Sequence, residues 1–175
     1  MAKRSDFPRR KNDSYDTPAN LVPPLLRHLP PRFTYCEPCA GNGSLIEALS
    51  PKGICISAYD IEPRSPNVTE MDALLLKWTA ANYIITNPPW TRQLLHPMIL
   101  QFSAIKPTWL LFDAGWMHTL QAIPYLPFLS KVVSIGRAKW IPESKHQGVD
   151  DCAWYLFDAN TIGRTQFFGR VKDES

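Results

Sequence analysis

The chain reads as an α/β fold, a mostly parallel sheet with helices on both faces and an antiparallel hairpin at its C-terminal end. Two observations predict this. Four short β-prone segments (33–37, 54–59, 83–86 and 109–112) are separated by stretches with helical pattern, the signature of βαβ units. Two later β-prone segments, 131–141 and 152–157, have only a polar loop between them, which leaves no room for a helix.

Residues 1–14 read as a flexible basic tail. Its first eleven residues hold Lys3, Arg4, Arg9, Arg10 and Lys11 against Asp6, so the formal net charge of +3 belongs to the tail and the body is nearly neutral. Such a tail suits phosphate contacts; it equally suits a solvated terminus. Residues 18–29 hold a short helix started by proline. The strand FTYCE (33–37) runs into CAGNG, after which SLIEAL opens a helix at Ser44 or just before. ICISAY (54–59) is a continuous apolar run ended by Asp60, the pattern of a buried parallel strand. Residues 72–79 suggest a helix, and YIIT (83–86) is a further buried strand. A helix follows across 91–104, interrupted or kinked near Pro97, where a backbone N–H is missing. WLLF (109–112) is the fourth strand. KVVSIGRAKWI and CAWYLF form the hairpin.

Composition narrows the function classes. With 175 residues, 45% of them hydrophobic, the chain forms one domain with a real core rather than a disordered one. No apolar run reaches the ~18 residues of a membrane span, and no apolar stretch of a signal peptide follows the basic N-terminus. Four cysteines are too few for a disulfide scaffold, so a reduced, cytoplasmic setting is expected. Ten of the 17 prolines precede residue 67, which makes the first third loop-rich.

The loop after the first strand has two readings. Cys36 and Cys39 form a CxxC pair, as in a thiol redox centre at a helix N-terminus. Alternatively, Glu37-Pro38-Cys39-Ala40-Gly41-Asn42-Gly43 is a nucleotide-type turn, in which Gly41 and Gly43 let backbone N–H groups approach a ligand. The second reading requires an acidic residue at the end of the next strand. Asp60 stands there, so the nucleotide reading is preferred. A zinc site lacks a second CxxC or an HxxxH, and no metal is expected.

Asn87-Pro88-Pro89-Trp90 directly follows a strand, and a rigid exposed turn would explain it. Its chemistry is more specific. An exocyclic amino group on a base is a poor nucleophile because its lone pair is delocalised into the ring. An Asn oxygen and the next carbonyl can accept both amino hydrogens and favour a pyramidal nitrogen. Proline fixes the loop and presents acceptors, and an indole can stack on a flat base.

These residues resemble class I S-adenosylmethionine-dependent amino-methyltransferases, particularly DNA adenine-N6 methyltransferases. Tyr15-Asp16-Thr17-Pro18 resembles the N-terminal cofactor motif of that family, Glu37 to Gly43 its first sheet loop, and Met71-Asp72-Ala73 the motif whose Asp meets the cofactor adenine. Asn87 to Trp90 matches the catalytic [DN]PP[YFW] tetrapeptide. The motif order resembles the gamma arrangement, and the size and the segment KWIPESKHQG…AWYLF resemble small phage-type enzymes.

The resemblance implies a Rossmann-like, seven-stranded fold. That family often carries a separate target-recognition domain, but 175 residues leave no room for one, so a single catalytic domain over 15–175 is expected. It implies that S-adenosylmethionine is held by Tyr15, Thr17, Pro18, Glu37, Pro38, Cys39, Ala40, Gly41, Gly43, Asp60, Ile61, Asp72, Ala73 and Asn87. Asn87, Pro88, Pro89 and Trp90 are the expected catalytic residues, acting on an adenine flipped out of DNA. Trp140 is the first candidate for a second aromatic wall and Trp116 the next. Arg137, Lys139, Lys145 and His146 around Trp140, with Arg92 past the catalytic loop, suit a nucleic-acid surface and equally a solvated one. RNA adenine or a protein glutamine amide offers the same planar amino nitrogen. A non-catalytic binding subunit would be expected to lose the Asn or the glycine loop, and both are intact. A cytoplasmic protein, in a bacterial host if phage-encoded, is expected; no membrane partner or oligomer is indicated.

Overall fold

In a computed structural model, which describes residues 15–141, 148, 150–161 and 163–171, eight strands form one sheet. They are β1 (Phe33–Glu37), β2 (Gly53–Asp60), β3 (Thr69–Glu70), β4 (Tyr83–Thr86), β5 (Thr108–Asp113), β6 (Leu129–Arg137), β7 (Asp151–Phe157) and β8 (Gln166–Phe168). The sheet order is β3-β2-β1-β4-β5-β7-β6-β8. Neighbours pair in parallel except β7, which runs antiparallel to both β5 and β6. The helices are α1 (Pro23–Leu26), α2 (Ser44–Leu49) and α3 (Arg92–Ile105). This is the Rossmann-like arrangement expected, with its antiparallel strand near the C-terminal edge.

Side-chain alternation explains why the inner strands look uniformly apolar. On β5, Leu110 and Phe112 enter one core layer with Phe102 and Met98 of α3. Trp109 and Leu111 enter the other, with Leu21, Leu25, Leu45 and Leu49. β7 divides likewise, Tyr155 and Phe157 to the first layer and Trp154 to the second. A strand buried on both faces shows no period of two. Each large side chain so buried contributes on the order of 1.5–3 kcal/mol, which is why both layers hold.

Several elements differ from expectation. The sheet has eight strands, one more than the seven implied: β3 and β8, edges of two and three residues, join the six segments read as β-prone. β2 is not fully buried. Ile54 and Ile56 are 65% and 44% exposed while the alternate residues Gly53 and Cys55 are more covered, so one face of the strand's first half lies open. Residues 72–79 form one 3-10 turn, Ala73–Leu75, and no helix beyond it. Gln101 of α3 donates to the carbonyls of Leu74 and Leu76 at 2.8 and 2.6 Å, which satisfies them without a helix.

α3 runs through Pro97 as one helix. Leu95, Met98, Ile99 and Phe102 anchor it from the buried face, while Pro97 lies on the exposed one. β6 ends at Arg137, so 138–141 is no strand. Among the described residues, no helix is long and apolar enough to cross a membrane.

Candidate active site

Because β1, β2 and β4 are mutually parallel, their C-terminal ends share one edge of the sheet, where a ligand crevice is expected. One cleft lies there. Tyr15, Thr17, Glu37, Pro38, Cys39, Ala40, Gly41, Asp60, Ile61, Asp72, Ala73 and Asn87 all line it, together with Pro89. Pro18, Gly43, Pro88 and Trp90 stand outside that lining.

The glycine loop is built from backbone bonds that need its residue types. Gly41 and Gly43 have φ of +53° and +85°, a left-handed conformation that costs glycine little. Ala40 N–H donates to the Tyr59 carbonyl at 2.8 Å, and Gly43 N–H to that of Ala40 at 2.7 Å. Gly43 then starts α2, where Asn42 Oδ1 accepts from Ser44 N–H at 3.0 Å. Asp60 ties this loop to the next. Its two carboxylate oxygens accept from Gly41 N–H at 2.7 Å and from Glu62 N–H at 2.8 Å. Asp72 Oδ1 accepts from Leu74 N–H at 2.9 Å and so caps the 3-10 turn.

Glu37 is the electrostatic anomaly of the cleft. It is 1% exposed, and its Oε2 has no hydrogen-bond partner. Burial, reinforced by the charge of Asp60, pushes its carboxyl well above the usual carboxylate range. A buried acid with an unpartnered oxygen is costly in isolation and is relieved by a cation or donor arriving beside it.

The thiols behave in the opposite way from a redox centre. Cys36 is fully buried in a core layer, and both it and Cys39 are pushed up chiefly by burial, with Asp60 adding to the effect at Cys39. α2 begins at Ser44, so neither thiol sits at a helix N-terminus. Among the described residues, no three His, Cys, Asp or Glu side chains are grouped to hold a metal ion.

Asn87 is held at both ends of its amide. Nδ2 donates to the Tyr15 carbonyl at 3.3 Å, and Oδ1 accepts from Trp90 Nε1 at 3.4 Å. Trp90 is half-buried, and its ring meets Trp140 edge to face, with centroids 5.5 Å apart. Trp140 also lies 6.3 Å from Tyr15, so the structure brings it to the NPPW loop.

Trp116 does not reach that loop surface. It is 3% exposed, donates from Nε1 to His96 Nε2 at 3.1 Å and packs on Phe112, because the turn after β5 folds back onto α3. Arg92, Arg137 and Lys139 are exposed. Lys145 and His146 lie outside the described residues, as does the basic tail.

Sequence reasoning missed Arg64. It lines the cleft and forms a two-pronged ion pair with Asp16, Nη2 to Oδ1 at 2.6 Å and Nη1 to Oδ2 at 3.2 Å. A lone Arg in a loop carries no motif, so no spacing signals it. Leu94 and Met98 also reach the cleft from α3, where their helical pattern reads as core.

No family model and no curated protein matches the chain. Solved structures do. A proposed RNA methyltransferase from Pyrococcus horikoshii superposes with a TM-score of 0.58 at 15% identity, over 89% of this chain and 91% of that one. A modification subunit of a proposed type I restriction enzyme from Vibrio vulnificus gives 0.60 at 12% identity, over 93% and 48%. A dimethyladenosine transferase from Plasmodium falciparum gives 0.58 at 15%, over 84% and 63%. The chain thus spans about nine tenths of the first but about half of the restriction-enzyme subunit. At such identities the likeness is one of fold, and the fold is that of methyltransferases.

Proposed function

We propose that the protein transfers a methyl group from S-adenosylmethionine to the N6 amino group of adenine in DNA. One observation carries this reading: Asn87 of the NPPW turn lines the same cleft as the glycine loop and the buried acid Glu37. The residues fit such a cofactor. The unpartnered oxygen of Glu37 suits a cationic amino group. At Gly41 a Cβ would come within 2.8 Å of Arg64 Nη2, so only bare backbone leaves space there.

In this reading Glu37 holds the amino group of the methionine end, while Tyr15, Thr17 and Pro18 cover it. Asp60 meets the ribose hydroxyls, and Asp72 with Ala73 and Ile61 the adenine. Bound S-adenosylmethionine supplies an electrophilic sulfonium methyl. The protein supplies position and electrostatics.

Asn87 Oδ1 and the Pro88 carbonyl accept the two amino hydrogens of the target base, which turns the nitrogen lone pair away from both acceptors. Pro89 stiffens the turn, and Trp90 offers a ring face to the base, with Trp140 beside it. The nitrogen would gain the methyl carbon as the sulfonium S–C bond breaks, its electron pair staying with S-adenosylhomocysteine. An amino proton would pass to water, so no strong base is needed. In a duplex the base first leaves the stack.

Tyr15-Asp16-Thr17-Pro18 and the basic tail favour DNA. RNA adenine is the second reading, favoured because the solved structures of the same fold include proteins named as a 23S rRNA methyltransferase and a dimethyladenosine transferase. Labelled cofactor offered with DNA, RNA or a protein extract separates these. Label on DNA adenine is expected; label confined to RNA or protein sinks the DNA assignment. Asn87→Ala is expected to lose ~10²-fold or more in methyl transfer while still binding cofactor. Near-wild-type turnover by that variant would overturn the mechanism.

A further inference from the structure

We infer that Arg64 is a positioning residue that couples the glycine loop to the Asn87 amide through Asp16 and the Tyr15 carbonyl. The inference rests on the proposed methyl transfer for the roles of Gly41 and Asn87, and it assigns work to two residues which that reading leaves idle.

Arg64 grips the loop after β1 and the N-terminal segment at once. Its backbone N–H donates to the Gly41 carbonyl at 3.0 Å. Its guanidinium forks onto both carboxylate oxygens of Asp16 at 2.6 and 3.2 Å. The pair lies directly on the glycine loop. A Cβ built on Gly41 would stand 2.8 Å from Arg64 Nη2 and 3.9 Å from Asp16 Oδ1. All three residues line the cleft.

The next link is the backbone. Asp16 is joined to Tyr15, whose carbonyl accepts from Asn87 Nδ2 at 3.3 Å. That bond sets which way the amide faces. With Nδ2 turned to Tyr15, Oδ1 faces the other way, where one of its two lone pairs remains to accept from an exocyclic amino group. Trp90 Nε1, a donor only, meets the same Oδ1 and enforces the same orientation. An anchor 48 residues from Asp16 in sequence thereby holds the carbonyl that orients the reactive amide.

A purely structural role explains the pair poorly. The two side chains are 39% and 36% exposed, and ion pairs at that exposure contribute about 1 kcal/mol of stability or less. Bidentate geometry, in contrast, fixes direction, which a lysine ammonium cannot reproduce.

The test compares Arg64→Ala, Arg64→Lys, Asp16→Ala and the double Ala variant with the wild type. Three quantities are read: amide hydrogen exchange at residues 15–17 without cofactor, the dissociation rate of S-adenosylhomocysteine, and kcat against KM. Arg64→Ala should quicken exchange at 15–17 and speed dissociation about fivefold. It should lower kcat on the order of tenfold, with little change in the KM for nucleic acid. Arg64→Lys should recover only part of this. The double variant should be no worse than either single one, because the two side chains act as a unit.

Unchanged exchange in Arg64→Ala, or single effects that multiply in the double variant, would overturn the inference. A wild type that binds S-adenosylhomocysteine but methylates no nucleic acid defeats the proposed function instead. Exchange and dissociation then still decide the clasp.

Discussion

The rings of Trp90 and Trp140 stand edge to face, their centroids 5.5 Å apart and their planes at 84°. Trp90 follows β4, and Trp140 follows β6. Those strands point the same way in the sheet, so their C-terminal ends share an edge although two other strands lie between them. Such pairs contribute about 0.5–1.5 kcal/mol beyond burial and hold both rings in place. Trp140→Ala is predicted to raise the KM for a DNA substrate about tenfold, while S-adenosylhomocysteine binding changes little. Trp140→Phe should recover most of the loss. Steady-state kinetics on both variants checks this, and an unchanged KM would reduce Trp140 to packing.

Glu37 makes stability depend on pH in a definite direction. Its folded-state value lies above the ordinary 4.5, so its contribution is complete below that pH and is lost as pH rises through the raised value. The ligand-free protein should therefore lose melting temperature with rising pH in this range. Glu37→Gln keeps the shape with no charge to bury, so its curve should be flatter and its neutral-pH stability higher. It should also bind S-adenosylhomocysteine about tenfold more weakly, having lost a charge-assisted hydrogen bond. Calorimetry across pH, with titration of the ligand, reads both effects. Parallel pH curves for the two proteins would refute the assignment.

Gly41 and Gly43 differ in what surrounds them. Around Gly43 a new Cβ would meet nothing within 4 Å, so Gly43→Ala pays only for the left-handed backbone, about 1–2 kcal/mol. Gly41→Ala adds the clash with Arg64 and should weaken ligand binding more than Gly43→Ala does. Melting temperatures and S-adenosylhomocysteine affinities of the two variants make the comparison. Equal affinities would count against contact between ligand and Gly41.

Burial predicts slow thiols. Cys36 and Cys39 should react sluggishly with a thiol reagent at pH 8 in the native protein and quickly after unfolding. Cys36→Ala, which leaves Cys39 of the cleft in place, should keep ligand binding. Loss of all function with intact folding would revive a redox role for the pair.

What could be read from the chain depended on how locally it was determined. β4, β5 and β7 are legible because burial on both faces demands continuous apolar runs. β3 and β8 are too short to carry any period. Residues 72–79 carry three leucines in a row and read as helix, yet Gln101, reached only through the packing of α3, satisfies the carbonyls of Leu74 and Leu76. Trp140 is the first candidate for the second aromatic wall and Trp116 the next. The fold separates them, placing one beside Trp90 and the other in the core.

By itself, then, the sequence determined the fold class and the residue types at the ends of β1, β2 and β4. Those ends are local features: Glu37, Asp60 and Asn87 each close an apolar run, and parallel strands carry all three to one edge. Tertiary structure alone decided which distant side chains complete the cleft. The pairing of Arg64 with Asp16 and the Tyr15 carbonyl over Asn87 depend on strand order and chain reversal. Contacts across 48 and 72 residues leave no periodic trace in the chain that makes them.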